Sequence, residues 1–419
     1  MSSNSPSPLF PTTRREFLQL TGHGIGLLAF ARFAPEFLVN SALAGTPAPE
    51  KDRPILVLVQ LAGGNDGLNT LVPYEDANYY RLRPTLGLAK EKVLRINDTL
   101  GLHPSCTALH RLLQDGKLAV VQNVGYPNPN RSHFRSSEIW ETASGSSEFL
   151  STGWIGRFMD NACSGLPGAD VHDPVGVHLS SGVPQSFLSA QDHPTFGLLP
   201  GAGNRRENEE NRQLLESLVS QTGTPEKDNT TFLKHTLMDS LVTEKKVQRI
   251  LGSYQPAASY PGNAFAASLR NIAGLIAAGL PTRVYFVSLS GFDTHSNQAN
   301  QQANLLTTLS EGLAAFQKDL ELHQLDGQVT TMTFSEFGRR PSENESRGTD
   351  HGTAAPLFVL GSKVKGGLHG TAPALNLAHN QDLTYSTDFR SVYATMLDRW
   401  LACPSETVLG EKFAGLPIV

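Results

Sequence analysis

A doubly wound α/β fold, with a mostly parallel central sheet flanked by helices, is predicted by three observations on the sequence. The apolar run Ile55–Leu61 is followed by a helix signal over Pro104–Gln114 and a second apolar run, Leu118–Gln122. Strand, helix and strand in that order make a parallel β-α-β unit. The alternation returns near the C-terminus, where helix signals at Ala264–Ala278 and Gln301–Leu322 precede runs at Arg283–Phe292 and Gln328–Phe334. Three of these runs also end in acidic or His-containing loops, which carry Asp66, Asp293 with His295, and Glu336. Open α/β sheets hold ligands outside the carboxyl ends of their strands, so chemistry is expected at that edge.

Taken in order, residues 1–44 read as a twin-arginine export signal: Arg14-Arg15 precedes a weakly apolar stretch and ends at Ala42-Leu43-Ala44. That stretch is too short and too polar for a stable membrane span. Export would place the protein in the periplasm or outside the cell, with the twin-arginine machinery as a partner. Residues 45–54 form a linker, and a single domain spans 55–419. Ser132 stands at the N-cap position of a helix over His133–Ala143. A polar, charged insertion at about 205–254 carries helix signals at Glu207–Ser220 and Thr231–Leu251, and a last helix runs over Asp388–Ala402. The net charge of −5 comes without a basic stripe, which argues against a nucleic-acid partner. Three cysteines at unpaired spacing argue against a disulfide framework and for isolated buried thiols, with room for one bridge.

The chemistry-bearing residues are few. Asp66 sits in Gly63-Gly64-Asn65-Asp66-Gly67, where glycines permit a tight turn or a close approach to a ligand. Asp293-Thr294-His295 can set two ligands on one loop, or can be a solvated turn. Glu336 reads either as a ligand or as an ion-pair partner of Arg339 or Arg340. His351 stands at the entrance to a further strand, with Asp350 beside it to fix its tautomer, and His369 follows on a glycine-rich loop as an alternative ligand. Oxygen and imidazole donors together suit a divalent metal, zinc or manganese before calcium or magnesium. Ser132 at a helix N-terminus can present its hydroxyl to an anion, with Arg131, His133 and Arg135 alongside to bind it, or can serve only as the cap. His103, His110, His178 and His235 fall within regular elements and read as structural. The Gly-x-Gly-x-x-Gly dinucleotide fingerprint is absent.

The blocks LAGGNDGLNTLVPY, SHFRSSEIWETA, GWIGRFMD, GFDTHSNQ, TFSEFGR and DHGTAAPLFVLG, in this order, resemble the exported family of domain of unknown function 1501 in the alkaline-phosphatase-like superfamily. The resemblance implies a hydrolase of phosphate or sulfate esters acting on a small-molecule or glycan ester. Ser132 would be the nucleophile, Asp66 and Glu336 would hold one metal ion, and Asp293, His295 and His351 a second. The superfamily pattern has a His four residues after the Asp, where this chain has Asn297, and a His where this chain has Phe337. Those departures put the second ion in doubt and keep open a non-catalytic exported protein that binds a glycan or another protein on the same fold. The sulfatase motif Cys/Ser-x-Pro-x-Arg is missing around every cysteine and around Ser132.

Overall fold

The computed structural model describes residues 53–161, 174–198 and 243–419. Its strands in chain order are β1 (Ile55–Ala62), β2 (Leu71–Val72), β3 (Leu94–Arg95), β4 (Gly101–Leu102), β5 (Leu118–Gly125), β6 (Gly176–Leu179), β7 (Thr195–Gly197), β8 (Val284–Ser290), β9 (Val329–Phe334), β10 (Ala355–Leu360), β11 (Gly367–His369) and β12 (Thr387–Asp388). The α-helices are α1 (Ala77–Leu82), α2 (Thr107–Gln114), α3 (His133–Thr142), α4 (Trp154–Asp160), α5 (Ala264–Ala277), α6 (Gln298–Leu322), α7 (Phe389–Thr395) and α8 (Ser405–Leu409). A further helical stretch covers 243–253.

One large sheet has the order β11-β5-β10-β9-β1-β8-β6-β7, with β12 beside β5. β9, β1, β8, β6 and β7 run parallel. Only β10 runs against its neighbours, pairing antiparallel with both β9 and β5. The predicted fold class is therefore observed: a mixed, mostly parallel central sheet flanked by helices.

β1 explains why its sequence is a continuous apolar run instead of an alternating one. Successive side chains of a strand point to opposite faces, and here both faces are covered. Ile55, Val57, Val59 and Leu61 enter one core with Leu109 of α2, Leu269 and Ile272 of α5, and Leu306, Leu313 and Phe316 of α6. Leu56 and Leu58 enter the other with Trp140 of α3, Phe158 of α4 and Tyr393 of α7. Trp400 locks the last helical segment to the central strand by donating its indole N–H to the Ile55 carbonyl at 2.9 Å. That segment departs from the predicted single helix, since after α7 the chain winds into a π-helical turn over Met396–Trp400.

Glu207–Ser220, His235 and most of Thr231–Leu251 lie outside the described residues, as does the export signal. Cys403 is disulfide-bonded and Cys106 is a buried free thiol, so the single bridge that the sequence leaves open is present beside an isolated thiol.

His103 and His178 are structural, as their settings suggested, and both are held down to about 4 by burial. His103 Nδ1 accepts the Ser105 N–H at 3.0 Å, a bond that protonation of that nitrogen would destroy. Because the folded state binds these protons less readily than the unfolded chain, stability is full above about pH 6.5 and falls as pH drops toward 4, with no further loss from these groups below that. We expect roughly 3 kcal/mol from each histidine at full titration. Denaturant titrations of wild type and His178→Gln between pH 7 and 4 check this; equal pH slopes for the two proteins would refute it.

Candidate metal centre

The loops after β1, β8, β9 and β5 leave the same edge of the sheet, because those strands are mutually parallel. The reversed strand β10 begins at that edge, so the residues before it are delivered there too. Five chain segments thus converge.

The sharp exit from β1 needs glycine. Gly63 and Gly64 have φ of +117° and +84°, and a Cβ on Gly63 would lie 2.4 Å from the Asp293 backbone nitrogen. This close approach sets the β1 loop against the β8 loop. Arg339, 1% exposed, then stitches the loops together. Its guanidinium donates to the carbonyls of Gly63, Gly64, Phe292 and Thr349 and to the Asp293 carboxylate at 2.5 Å.

Around Asp293 three imidazoles share one orientation. His351 Nδ1 lies 2.8 Å from the Arg131 carbonyl, His133 Nδ1 3.0 Å from Glu336 Oε1, and His295 Nδ1 3.4 Å from Asp350 Oδ1. A carbonyl or carboxylate can only accept, so each Nδ1 carries the proton. Each Nε2 then faces inward. His351 Nε2 and His295 Nε2 are each 3.0 Å from Asp293 Oδ1 and 2.9 Å from each other, while His133 Nε2 is 3.5 Å from Asp293 Oδ2.

The electrostatics match. Burial pushes the Asp293 carboxyl up, but the hydrogen bond and positive charge of the Arg339 guanidinium beside it outweigh that and hold the group below its ordinary value. Burial also lowers His351 below its ordinary value, which keeps its ring neutral at neutral pH. A neutral ring whose Nδ1 donates turns the Nε2 lone pair toward an ionised carboxylate at 3.0 Å. Acceptor faces acceptor, and a cation between them resolves the repulsion. Donor atoms sharing one tetrahedral zinc lie ~3.3 Å apart, close to the spacings here. Glu336 Oε2, buried and without a hydrogen-bond partner, is a further sign of a site that a bound group would complete. The donor set thus fits a divalent metal: Asp293, His133 and His351 gather around one point. His295, with Nε2 at 3.0 Å from Asp293 Oδ1 and 2.9 Å from His351 Nε2, adds a fourth donor on its Asp293 side. Each histidine is oriented by a carbonyl or carboxylate behind it.

Of the sequence-predicted ligands, Asp293, His295 and His351 come together. Glu336 reaches the cluster through His133, with its Oε1 also accepting the Gly63 N–H at 2.7 Å. Asp350 stands behind His295, not behind His351 as the sequence suggested, because the Arg131 carbonyl already holds His351. Asp66 stays out. It is fully buried and ion-paired with Arg83 at 2.6 Å, and its second partner is the Gln298 side-chain amide. Asn65 is likewise buried, accepting from Thr70 and Gln302. Asn297 caps α6 in a left-handed conformation with no side-chain hydrogen bond to the helix. His369 is taken up by the Lys365 carbonyl.

Ser132 occupies the N-cap position of α3, yet its hydroxyl makes no capping bond and is exposed beside His133. Of the residues read as anion binders, Arg131 pairs with Asp382 at 3.1 Å and Arg135 with Glu138 at 2.8 Å. Arg135 also donates to the Gly145, Ser146 and Glu148 carbonyls. His133, which the sequence presents as a substrate-binding group, lies against Asp293 and Glu336. The signal is the pairing of SHFR with Glu336, which appears only once β10 lies between β5 and β9 and brings the loops after those two strands together.

Among solved structures the chain is similar to a sulfatase from Pseudoalteromonas sp., at 11% identity and a TM-score of 0.38 over 91% of this chain and 74% of that one. It is also similar to i-CgsB solved in complex with k-i-k-neocarrahexaose, at 8% identity and a TM-score of 0.35 over 86% and 73% of the two chains. A third is alkaline phosphatase from the Antarctic bacterium TAB5, at 10% identity and a TM-score of 0.27 over 74% and 92%. No curated protein matches. The family model described as protein of unknown function DUF1501 matches residues 53–400, and the chain belongs to that family.

Proposed function

We propose that this protein is an exported metal-dependent hydrolase of phosphate or sulfate esters with a single-ion site at Asp293, His133, His295 and His351. The observation that carries the metal reading is the shared orientation of the three imidazoles, each Nδ1 anchored from behind and each Nε2 turned toward one carboxylate. Three nitrogen donors with one oxygen favour zinc or manganese over calcium or magnesium. A bound ion would supply Lewis acidity toward the ester oxygens.

The chain's own residues supply the rest. Ser132, with a free hydroxyl at the head of α3 and next to a ligand, is the nucleophile; its oxygen attacks phosphorus or sulfur as the alcohol leaves, and water then frees the inorganic anion. The first amides of α3 face an anionic group favourably. Arg339 holds Asp293 ionised and aimed at the site. The ester class itself rests on the six sequence blocks and on the position of Ser132.

Elemental analysis of the folded protein, with the double variant Asp293→Ala, His351→Ala as control, tests the metal; a panel of aryl and sugar phosphates and sulfates tests the chemistry. One zinc or manganese per chain, lost in the variant, with ester hydrolysis lost in Ser132→Ala, is the expected result. Metal-free wild type would refute the site. Metal without turnover would favour the second reading, a non-catalytic binding protein, which the diversion of Asp66 to Arg83 already supports.

A further inference from the structure

We infer that Gln298, the first residue of α6, is a positioning residue that sets the spacing between the two loops carrying three of the four metal donors; this rests on the metal reading above. Its side chain is fully buried between them. Asp66 Oδ2 can only accept, so the amide nitrogen of Gln298 must face it, which turns the amide oxygen the other way. That oxygen accepts from Thr294 at 3.0 Å and from Thr349 at 2.6 Å. Thr294 lies between Asp293 and His295, and Thr349 lies two residues before His351. A single amide thus ties the β8 loop to the segment that enters β10.

The backbone repeats the connection. Thr349 N–H donates to the Thr294 carbonyl at 3.2 Å, and Gln298 N–H to the Arg347 carbonyl at 2.9 Å. Asp66 is anchored in turn by Arg83, which donates to the Pro341 and Arg340 carbonyls at 2.8 and 3.0 Å. Asp66 therefore keeps a part in the site without touching it: its carboxylate fixes which way Gln298 points. Since the ligand atoms must be held to within about half an ångström, a residue that sets loop spacing governs affinity.

One turn along α6, Gln302 supplies a matched control. It is equally buried and hydrogen-bonds Asn65 and Thr70 at 3.0 and 3.2 Å, with no hydrogen bond of its side chain to either ligand loop. Gln298→Met and Gln302→Met both remove a buried amide from the same helix. Zinc dissociation constants, measured by competition with a chromophoric chelator, and thermal melts in excess chelator would be compared for wild type and both variants. We expect both to lower the metal-free melting temperature, with zinc affinity falling tenfold or more in Gln298→Met and changing less than twofold in Gln302→Met. Equal affinity losses in the two variants, or none in Gln298→Met, would overturn the inference and leave the metal site standing. If Gln298→Met does not fold, Thr349→Val, which removes one of the two loop contacts, takes its place with the same expectation. A wild type that binds no zinc or manganese overturns the site and this inference together, an outcome distinct from either.

Discussion

Asp66→Ala is expected to lower the free energy of unfolding by about 3–5 kcal/mol, the usual consequence of stranding one half of a buried ion pair. Arg83 and Asp66 are both fully buried, 2.6 Å apart. Arginine cannot shed its proton to escape a low-dielectric setting. Its remaining partners, Asn69 and two carbonyls, carry partial charges only. With native domains stable by roughly 5–15 kcal/mol, a loss of this size leaves a marginal protein. A double-mutant cycle with Arg83→Met, read by urea denaturation, isolates the pair, because removing both charges strands neither. A single-variant loss below about 1 kcal/mol would show that water or another anion already reaches Arg83.

Asp293→Asn should behave in the opposite sense, with a large effect on metal and a small one on the fold. The substitution keeps the shape and one acceptor oxygen, and Arg339 retains four carbonyl partners when the carboxylate is gone. What disappears is the only anionic donor among the four. Losing a group that only hydrogen-bonds to a ligand lowers metal affinity ~10–100-fold, so loss of the charged ligand itself should exceed ~100-fold. Zinc titration together with a melt in chelator would separate the two effects. An unchanged dissociation constant would mean that Asp293 serves Arg339 and not an ion.

These two acids show what the sequence could and could not disclose. Asp66 and Asp293 look alike from the chain, each an acid just past an apolar strand. Strand position is a local property, so β1, β5, β8 and β9 and the sheet edge where their loops gather are legible in the sequence. Which acid is sealed in a buried ion pair and which lies among imidazoles depends on partners elsewhere in the chain, Arg83 in one case and three histidines in the other. His133 illustrates the same limit: its role follows from Glu336, 203 residues away. The three-stranded sheet of β2, β4 and β3 escaped notice for a different reason. Strands of two residues have no period to detect. The π-helical turn after α7 was likewise invisible, since Val392, Met396 and Trp400 keep the spacing of an ordinary apolar face.

The reversed strand β10 bears on how the molecule assembles. Its pairing with β5 joins Phe358 to Val120, and β1 joins β9 through Leu58 and Met332. Contacts between such distant parts of a chain form late, because a large loop must close before any bond rewards it. The donors at 133, 293, 295 and 351 meet only when β5, β8, β9 and β10 are all in register. A partly folded chain would therefore offer an ion scattered single ligands. Metal capture would then mark the end of folding, stabilising the finished sheet by mass action without guiding the chain toward it.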